Sequence, residues 1–312
     1  MPGSVLGTVA GMESRTAGTL TGATAYVLWG LLTLYWHELT GLDAIGLIGW
    51  RITWSVVVLG VALTVARRWR DLRPVLRDRR LLGRITLASV MLATNWTVYV
   101  WCVTHGRVIE TALGYFLAPI GLVVVGVLAF REPLDGAKRA ALALATVAVI
   151  VLAVGSGTPP VLALVLAATW TVYGVLKKSV PLPVLESLAA ECLVLFPAAV
   201  LLLVGMQIVG PGSLHGASTL QMVLVPLTGI VTTVPLLLFA HAAPRVPLAT
   251  LGWLQYSVPT INLALGVLVY GESMPWWRGL GFALVWIGLA CITVDTLRHR
   301  ARAEVVPTLE GA

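Results

Sequence analysis

Two ionisable side chains, Arg51 and Glu191, stand inside long apolar stretches of the sequence. A charged group in such a stretch is costly to keep from water, so it marks a functional position by default. Arg51 needs an anionic partner, a water-filled cavity or an anionic substrate, and its guanidinium fork suits a carboxylate. Glu110 is the candidate partner within the protein, so a structural ion pair remains the alternative role for Arg51.

Glu191 is the candidate for carrying a coupled proton, because burial of a carboxylate favours its protonated form. The alternative is an ion pair with Lys177 or Lys178, which follow the preceding apolar stretch. An ion pair would hold helices together, whereas a proton carrier would link transport to a pH gradient.

Polar and aromatic side chains form stripes along several apolar stretches. Asn95 and Tyr99 are four residues apart, as are Tyr115 and Pro119, and residues at this spacing share one helix face. A polar face within hydrocarbon must turn towards protein or a cavity, and aromatic rings there offer stacking surfaces for a planar solute. The residues predicted to bind a small-molecule substrate are Arg51, Asn95, Trp96, Tyr99, Glu110, Tyr115, Tyr173, Gln255 and Tyr256.

For Asn95 and Gln255 the alternative is hydrogen bonding between helices, often worth under about 1 kcal/mol. Three prolines inside apolar stretches, Pro119, Pro235 and Pro259, remove backbone hydrogen bonds and predict helix kinks. The cysteines and histidines have no metal-ligand spacing, so neither a metal nor another cofactor is expected.

The composition places these stretches in a membrane. Of 312 residues, 58% are hydrophobic and 11% are charged, and the mean hydropathy is +0.91. A soluble domain carries about 25% charged residues. The sequence lacks the alternating segments of an outer-membrane barrel. The net charge of +7 reflects arginines gathered on one membrane face and does not indicate nucleic-acid binding.

A membrane-spanning helix needs about 20 apolar residues, and ten stretches approach or meet this length. The fifth and sixth are short and close together, so their limits are the least well defined. The predicted spans are Ala17–Trp36, Ala44–Ala66, Arg84–Thr104, Thr111–Phe130, Arg139–Val154, Val161–Leu176, Leu185–Ile208, Leu220–His241, Leu248–Tyr270 and Trp276–Leu297.

Orientation follows from the basic residues in the loops. Apart from Arg107 and Arg278, every lysine and arginine outside the spans falls on one side, most densely between Arg67 and Arg84. The sequence therefore predicts a multi-pass inner-membrane protein with both termini in the cytoplasm. No cleaved signal peptide is expected, and Met1 and Met12 are both possible starts.

Two stretches of the chain match each other at an offset of 140 residues. Pro119 precedes Glu132 by thirteen residues, and the same distance separates Pro259 from Glu272. Five spans on each side of the midpoint turn the second half upside down relative to the first. The predicted fold is an all-α integral membrane protein of ten helices in two inverted five-helix repeats, residues 17–155 and 156–297, with tails at 1–16 and 298–312.

Several strings extend this pattern to a family resemblance. They are Arg51–Ser55, Asn95–Trp96, Glu110–Phe116, Gly229–Leu237 and Thr250–Tyr256. With the paired Pro and Glu positions, they resemble the EamA family of the drug/metabolite transporter superfamily, specifically its RarD branch. The resemblance covers roughly residues 18–297. It implies an inner-membrane carrier of small organic solutes.

The predicted function is secondary-active transport of small organic metabolites or drugs, with export and proton coupling or exchange as the expected mode. No phosphate-binding loop, zinc-protease motif or nucleophile turn occurs, so an enzyme is not expected. Two alternatives come from other classes, a membrane-embedded lipid or cell-wall enzyme and a non-transporting assembly factor. The expected partners are a small-molecule substrate and the lipid bilayer, and the oligomeric state is left open.

Overall fold

The computed structural model describes residues 3–131, 134–242, 245–246, 251 and 254–305. Within these ranges the regular structure is helical. The helices are α1 Gly3–His37, α2 Ala44–Ala66, α3 Arg73–Arg77, α4 Arg79–Thr104, α5 Val108–Phe130, α6 Gly136–Ser156, α7 Val161–Lys178, α8 Val184–Val209, α9 Thr219–Ala242, α10 Ser257–Ala264 and α11 Trp276–Val305. A 3-10 turn, Trp69–Leu72, precedes α3, and a π-helical turn, Leu265–Val269, follows α10.

Nine of the helices in the described part of the chain are long and apolar enough to cross a bilayer. The second predicted span agrees with α2 at both ends, and the fifth and sixth are two separate helices divided at Gly157, where φ is +71°. The ninth span, Leu248–Tyr270, lies partly outside the described residues, and its described helical core is Ser257–Val269. The backbone of α1 is helical from Gly3, well before the predicted start of the first span.

Contacts between loops define two faces of the helix bundle. On one, here called the arginine-rich face, Arg68 after α2 pairs with Glu186 at the start of α8 (2.7 Å). On the opposite face, the Gln221 amide of α9 donates to the carbonyl oxygen of Thr40, before α2 (3.0 Å). Helix ends that are far apart in sequence therefore meet at the same face, as expected for helices that cross one layer in alternating directions.

The packing of the helices follows a pattern. In the first half of the pattern, α7 packs on both α5 and α4, and α2 packs on α9. In the corresponding second half, α1 packs on both α10 and α9, and α8 packs on α4. Three further pairs, α2 with α8, α5 with α10 and α6 with α11, complete the bundle. Exchanging the first five spans for the last five maps each of these contacts onto another or onto itself.

Small residues allow the closest of these approaches. A Cβ added to Gly229 of α9 would lie 2.5 Å from the carbonyl carbon of Trp54 and 3.0 Å from the amide nitrogen of Ser55, both in the α2 backbone. Gly30 of α1 packs closely on a side chain, that of Ile261 in α10. The α2–α9 contact is thus made by main chain against main chain, and only glycine fits there.

Glu272, in the loop after α10, closes the start of α5 on the opposite face. Its carboxylate accepts hydrogen bonds from the backbone N–H of Val108 and from that of Ile109 (3.1 Å). These N–H groups have no partner within the helix, so the carboxylate satisfies them and stabilises the helix N-terminus.

Replacing Glu272 by leucine is expected to lower the free energy of unfolding by about 1 kcal/mol, the usual cost of losing a helix cap. Glutamine should cost less, because its amide oxygen still accepts one of the two hydrogen bonds. Thermal unfolding of purified protein in detergent measures both. The exposed Glu38 on the same face provides the control, and an equal loss in Glu38→Leu would contradict the capping role.

Burial raises the pKa of Glu272 above its ordinary value, and the two backbone N–H groups oppose that rise. The folded protein then holds this proton more tightly than the unfolded chain does. The free energy of unfolding therefore decreases as the pH rises through the raised pKa of Glu272. Glu272→Gln should lack this part of the pH dependence.

Candidate functional site

A cavity of about 350 Å³ lies at the centre of the bundle. It extends from Lys177 and Val184, at the arginine-rich face, to Arg51 and Trp36 beneath the opposite face. Ten aromatic side chains line it: Tyr26, Trp29, Trp36, Trp96, Tyr99, Tyr115, Trp170, Tyr173, Phe239 and Tyr256. A cavity of this size and lining suits a small organic solute with a flat or apolar body.

The lining comes from both halves of the chain. The lining residues belong to α1, α2, α4, α5, α7, α8, α9 and α10 or lie directly beside them. The lining residues of the described chain include none from α6 or α11, which pack mainly on each other.

Arg51 is buried in α2 and carries the unpaired charge of the cavity. Its guanidinium carbon lies 3.8 Å from the centre of the Trp96 ring and 5.1 Å from that of Trp36. Its Nε atom has no hydrogen-bond partner, and the described residues provide it with no ion pair. Cation–π contacts stabilise the guanidinium, but they leave its donors free for a ligand.

The predicted partner of Arg51 is engaged elsewhere. Glu110 pairs with Arg107, three residues earlier, at 2.5 Å, and it does not line the cavity. The expected Arg51–Glu110 pair is therefore not formed. The physical reason is local, because residues three apart at a helix start are already neighbours, whereas Arg51 is on another helix.

Glu191 is fully buried in α8 and forms an ion pair with Lys177 of α7. Tyr173 donates to its second oxygen (3.2 Å), and Ser187 lies beside the pair, 2.6 Å from the lysine nitrogen. Lys177 and Tyr173 line the cavity, whereas Glu191 lies behind them. Of the two lysines proposed from the sequence, Lys177 is the partner.

Asn95 lies behind the cavity wall. Its amide nitrogen donates to the carbonyl oxygen of Leu166 and to Thr169, both at 3.0 Å, on α7. Its oxygen accepts from the hydroxyl of Tyr115 (2.9 Å), which does line the cavity. Asn95 therefore joins α4 to α7 and holds the Tyr115 ring in place, the interhelical role that was its alternative.

A second buried network closes the cavity beneath the opposite face. Thr33 of α1 bonds the hydroxyl of Tyr99 (2.7 Å) and donates to Asn262 of α10 (2.8 Å). Asn262 in turn donates to Thr111 of α5 (3.1 Å). Four helices are thus tied together by neutral groups. Sequence reasoning missed Thr33 and Thr111, because a threonine in an apolar helix usually bonds its own backbone.

The other predicted substrate-binding residues fall on the cavity surface. Together with Arg51, they are Trp96, Tyr99, Tyr115, Tyr173, Gln255 and Tyr256. Trp36, although it lies at the end of the first predicted span, is fully buried and lines the cavity beside Arg51. A position near a helix end does not reveal whether the ring faces lipid or protein.

The predicted kink prolines occupy two kinds of position. Pro119 and Pro235 lie inside α5 and α9. Pro259 lies in the first turn of α10, just after a turn at Tyr256. A proline in a first turn removes no helical hydrogen bond, so at Pro259 the irregularity precedes the proline.

No group of three or more His, Cys, Asp or Glu side chains that could hold a metal occurs within the described ranges. The three cysteines are free thiols. The cavity offers a ligand the Arg51 cation, aromatic faces and a few neutral hydrogen-bonding groups.

A multi-pass helical protein with a solute-sized cavity between its halves has the architecture of a membrane transporter. Comparison with known proteins agrees. The sequence model of the EamA-like transporter family matches residues 158–294. A crystal structure with 21% sequence identity superposes with a TM-score of 0.57 over 90% of this chain and 98% of the other, which supports the fold alone.

Relatives cover nearly the whole chain. Protein RarD of Streptomyces exfoliatus is 43% identical over 94% of this chain and 93% of its own length. The uncharacterized transporter YojE of Bacillus subtilis is 34% identical, over 92% and 97%. The chloramphenicol-sensitive protein RarD of Pseudomonas aeruginosa is 25% identical, over 94% and 100%. The chain belongs to the EamA-like transporter family and is a RarD-like permease.

Proposed function

We propose that this protein is a secondary-active carrier that exports small organic solutes with an aromatic or apolar body and an anionic group. One observation carries the proposal, the unpaired guanidinium of Arg51 on the Trp96 ring within the aromatic cavity. A desolvated cation without a counter-charge is costly, and an anionic ligand relieves that cost. Export is inferred from the family resemblance.

The proposed mechanism is alternating access by two inverted repeats, residues 17–155 and 156–297. The paired helix contacts support it, since exchanging the halves reproduces the packing. Helices α1 and α7 run in opposite directions, since α1 ends at His37 on the face opposite the arginine-rich one and α7 ends near the arginine-rich face, just after Lys177. This arrangement also supports the mechanism. By the positive-inside rule, the arginine-rich face and both termini are cytoplasmic, in an inner membrane.

Glu191 is the proposed site of proton coupling. It is fully buried and connected to the cavity through Lys177 and Tyr173. A carboxylate in that position senses what binds to its lysine partner, because loss of the partner would leave a buried charge uncompensated.

Reconstitution into proteoliposomes tests the proposal. Vesicles containing the purified protein should exchange aromatic carboxylates faster than amino acids without an aromatic ring. A pH gradient should drive net flux of those carboxylates whose binding protonates Glu191, and protein-free vesicles give the background. Equal rates for all solutes, or for protein-containing and empty vesicles, would refute the substrate class or the carrier function respectively.

A further inference from the structure

The cavity contains a second cation that differs from Arg51 in one respect. Lys177 lines the cavity with 27% of its side chain exposed, but its charge is neutralised by Glu191. Glu191 itself is only 1% exposed and does not reach the cavity. Among the described lining residues, Arg51 thus presents a positive charge without an ion pair, and Lys177 presents one that Glu191 neutralises.

The groups around Glu191 determine whether it can release Lys177. From α7 it faces Lys177 and the Tyr173 hydroxyl, and on α8 its neighbours are Ser187 and Cys192. Arg51 of α2 lines the same cavity, towards its other end. Helix α4 also packs on α8, but no ion pair or hydrogen bond from its described residues reaches Glu191.

A second negative charge in the cavity would compete with Glu191 for Lys177. Once the lysine turned to the ligand, Glu191 would be a buried carboxylate with only hydroxyl partners. Such a group takes up a proton rather than remain charged. The lysine keeps its ammonium form throughout, so one proton enters for each additional negative charge bound.

We infer that Lys177 is a second anion-binding residue, released by protonation of Glu191, and that the cavity takes solutes with negative charges at both ends of a flat body. The inference rests on the proposed function and specifies its substrate class. A monoanion binds at Arg51 without a proton, and a dianion binds at Arg51 and Lys177 with uptake of one proton.

Two probes with the same aromatic ring separate these cases. Benzoate carries one carboxylate, and terephthalate carries a second at the far end of the same ring. Calorimetry of the full-length protein in detergent, in two buffers of different ionisation enthalpy, counts the protons taken up. Terephthalate should take up about one proton per molecule bound, and benzoate none.

Variants of the pair provide the second measurement. Glu191→Gln should bind terephthalate about tenfold more tightly at pH 8, without proton uptake, because the competing carboxylate is gone. Lys177→Gln should lose the preference for terephthalate over benzoate. The double variant Lys177→Gln/Glu191→Gln should lose it too, and it avoids an unpaired buried carboxylate if the single variant fails to fold.

The outcomes distinguish this inference from the proposed function. If benzoate binds in an Arg51-dependent manner but terephthalate takes up no proton and Glu191→Gln binds it no better, the Lys177 role is wrong and the carrier proposal stands. If neither acid binds, the anionic substrate class fails and the inference fails with it.

Discussion

Replacing Arg51 by glutamine is expected to weaken binding of an anionic solute by about tenfold to a hundredfold. A hydrogen bond to a charged group contributes about 1.5–3 kcal/mol, and Arg51 lines the cavity without an ion pair from the described part of the chain. Lysine should restore part of the affinity, because a compact ammonium reproduces neither the guanidinium fork nor its stacking on Trp96. Equilibrium binding of benzoate to the purified variants measures the loss.

The same variant separates recognition from structure. Because Arg51 has no ion pair among the described residues, removing its charge should leave thermal stability unchanged or higher. Arg278, which also stacks on a tryptophan (5.3 Å from Trp277) but lies outside the cavity, is the matched control. Normal benzoate binding combined with lost stability in Arg51→Gln would show that the arginine holds helices together.

The second large effect is expected at Gly229. An alanine there would place its methyl group against the α2 backbone at Trp54 and Ser55, which cannot move aside as a side chain can. Overpacking of this kind costs roughly 1–3 kcal/mol and would force α9 away from α2. Unfolding of the purified protein by denaturing detergent gives the change in free energy.

Gly205 of α8 is the control for this substitution. A Cβ added there meets no atom within 4 Å, so Gly205→Ala should be neutral or stabilise by up to about 1 kcal/mol through helix propensity. If the two alanine variants unfolded alike, the close α2–α9 contact would be disproved. The sequence marked Gly229 only as part of a family string.

Helix positions could be predicted from the sequence because they depend on local composition. The limits of α2 were predicted correctly at both ends, since Asp43 before it and the arginines after it bound an apolar run. The ninth span was harder, because its apolar run includes a turn at Tyr256 and a π-helical turn after Ala264. Hydropathy does not distinguish a straight helix from one that is interrupted.

The site was predictable in its residue types and less so in its contacts. Periodicity placed Tyr99 and Tyr115 on inward faces, and both line the cavity. Tyr173, predicted from its aromatic ring, lines it as well. Periodicity did not reveal that the Asn95 amide would donate to α7, or that Glu110 would form an ion pair with Arg107. Partners across helices depend on how helices are rotated and staggered, and a pattern within one helix contains no information on either.

Different kinds of contact join the helices at the two ends of the cavity. Towards the arginine-rich face, ionic contacts join the helices, Arg68 to Glu186 and Lys177 to Glu191, and the arginine is 41% exposed. Beneath the opposite face, the network from Thr33 to Thr111 is neutral and buried. Dissolved salt screens the exposed ionic contact and leaves the neutral network untouched. In the alternating-access mechanism proposed above, a higher ionic strength is therefore expected to favour the conformer that is open at the arginine-rich face.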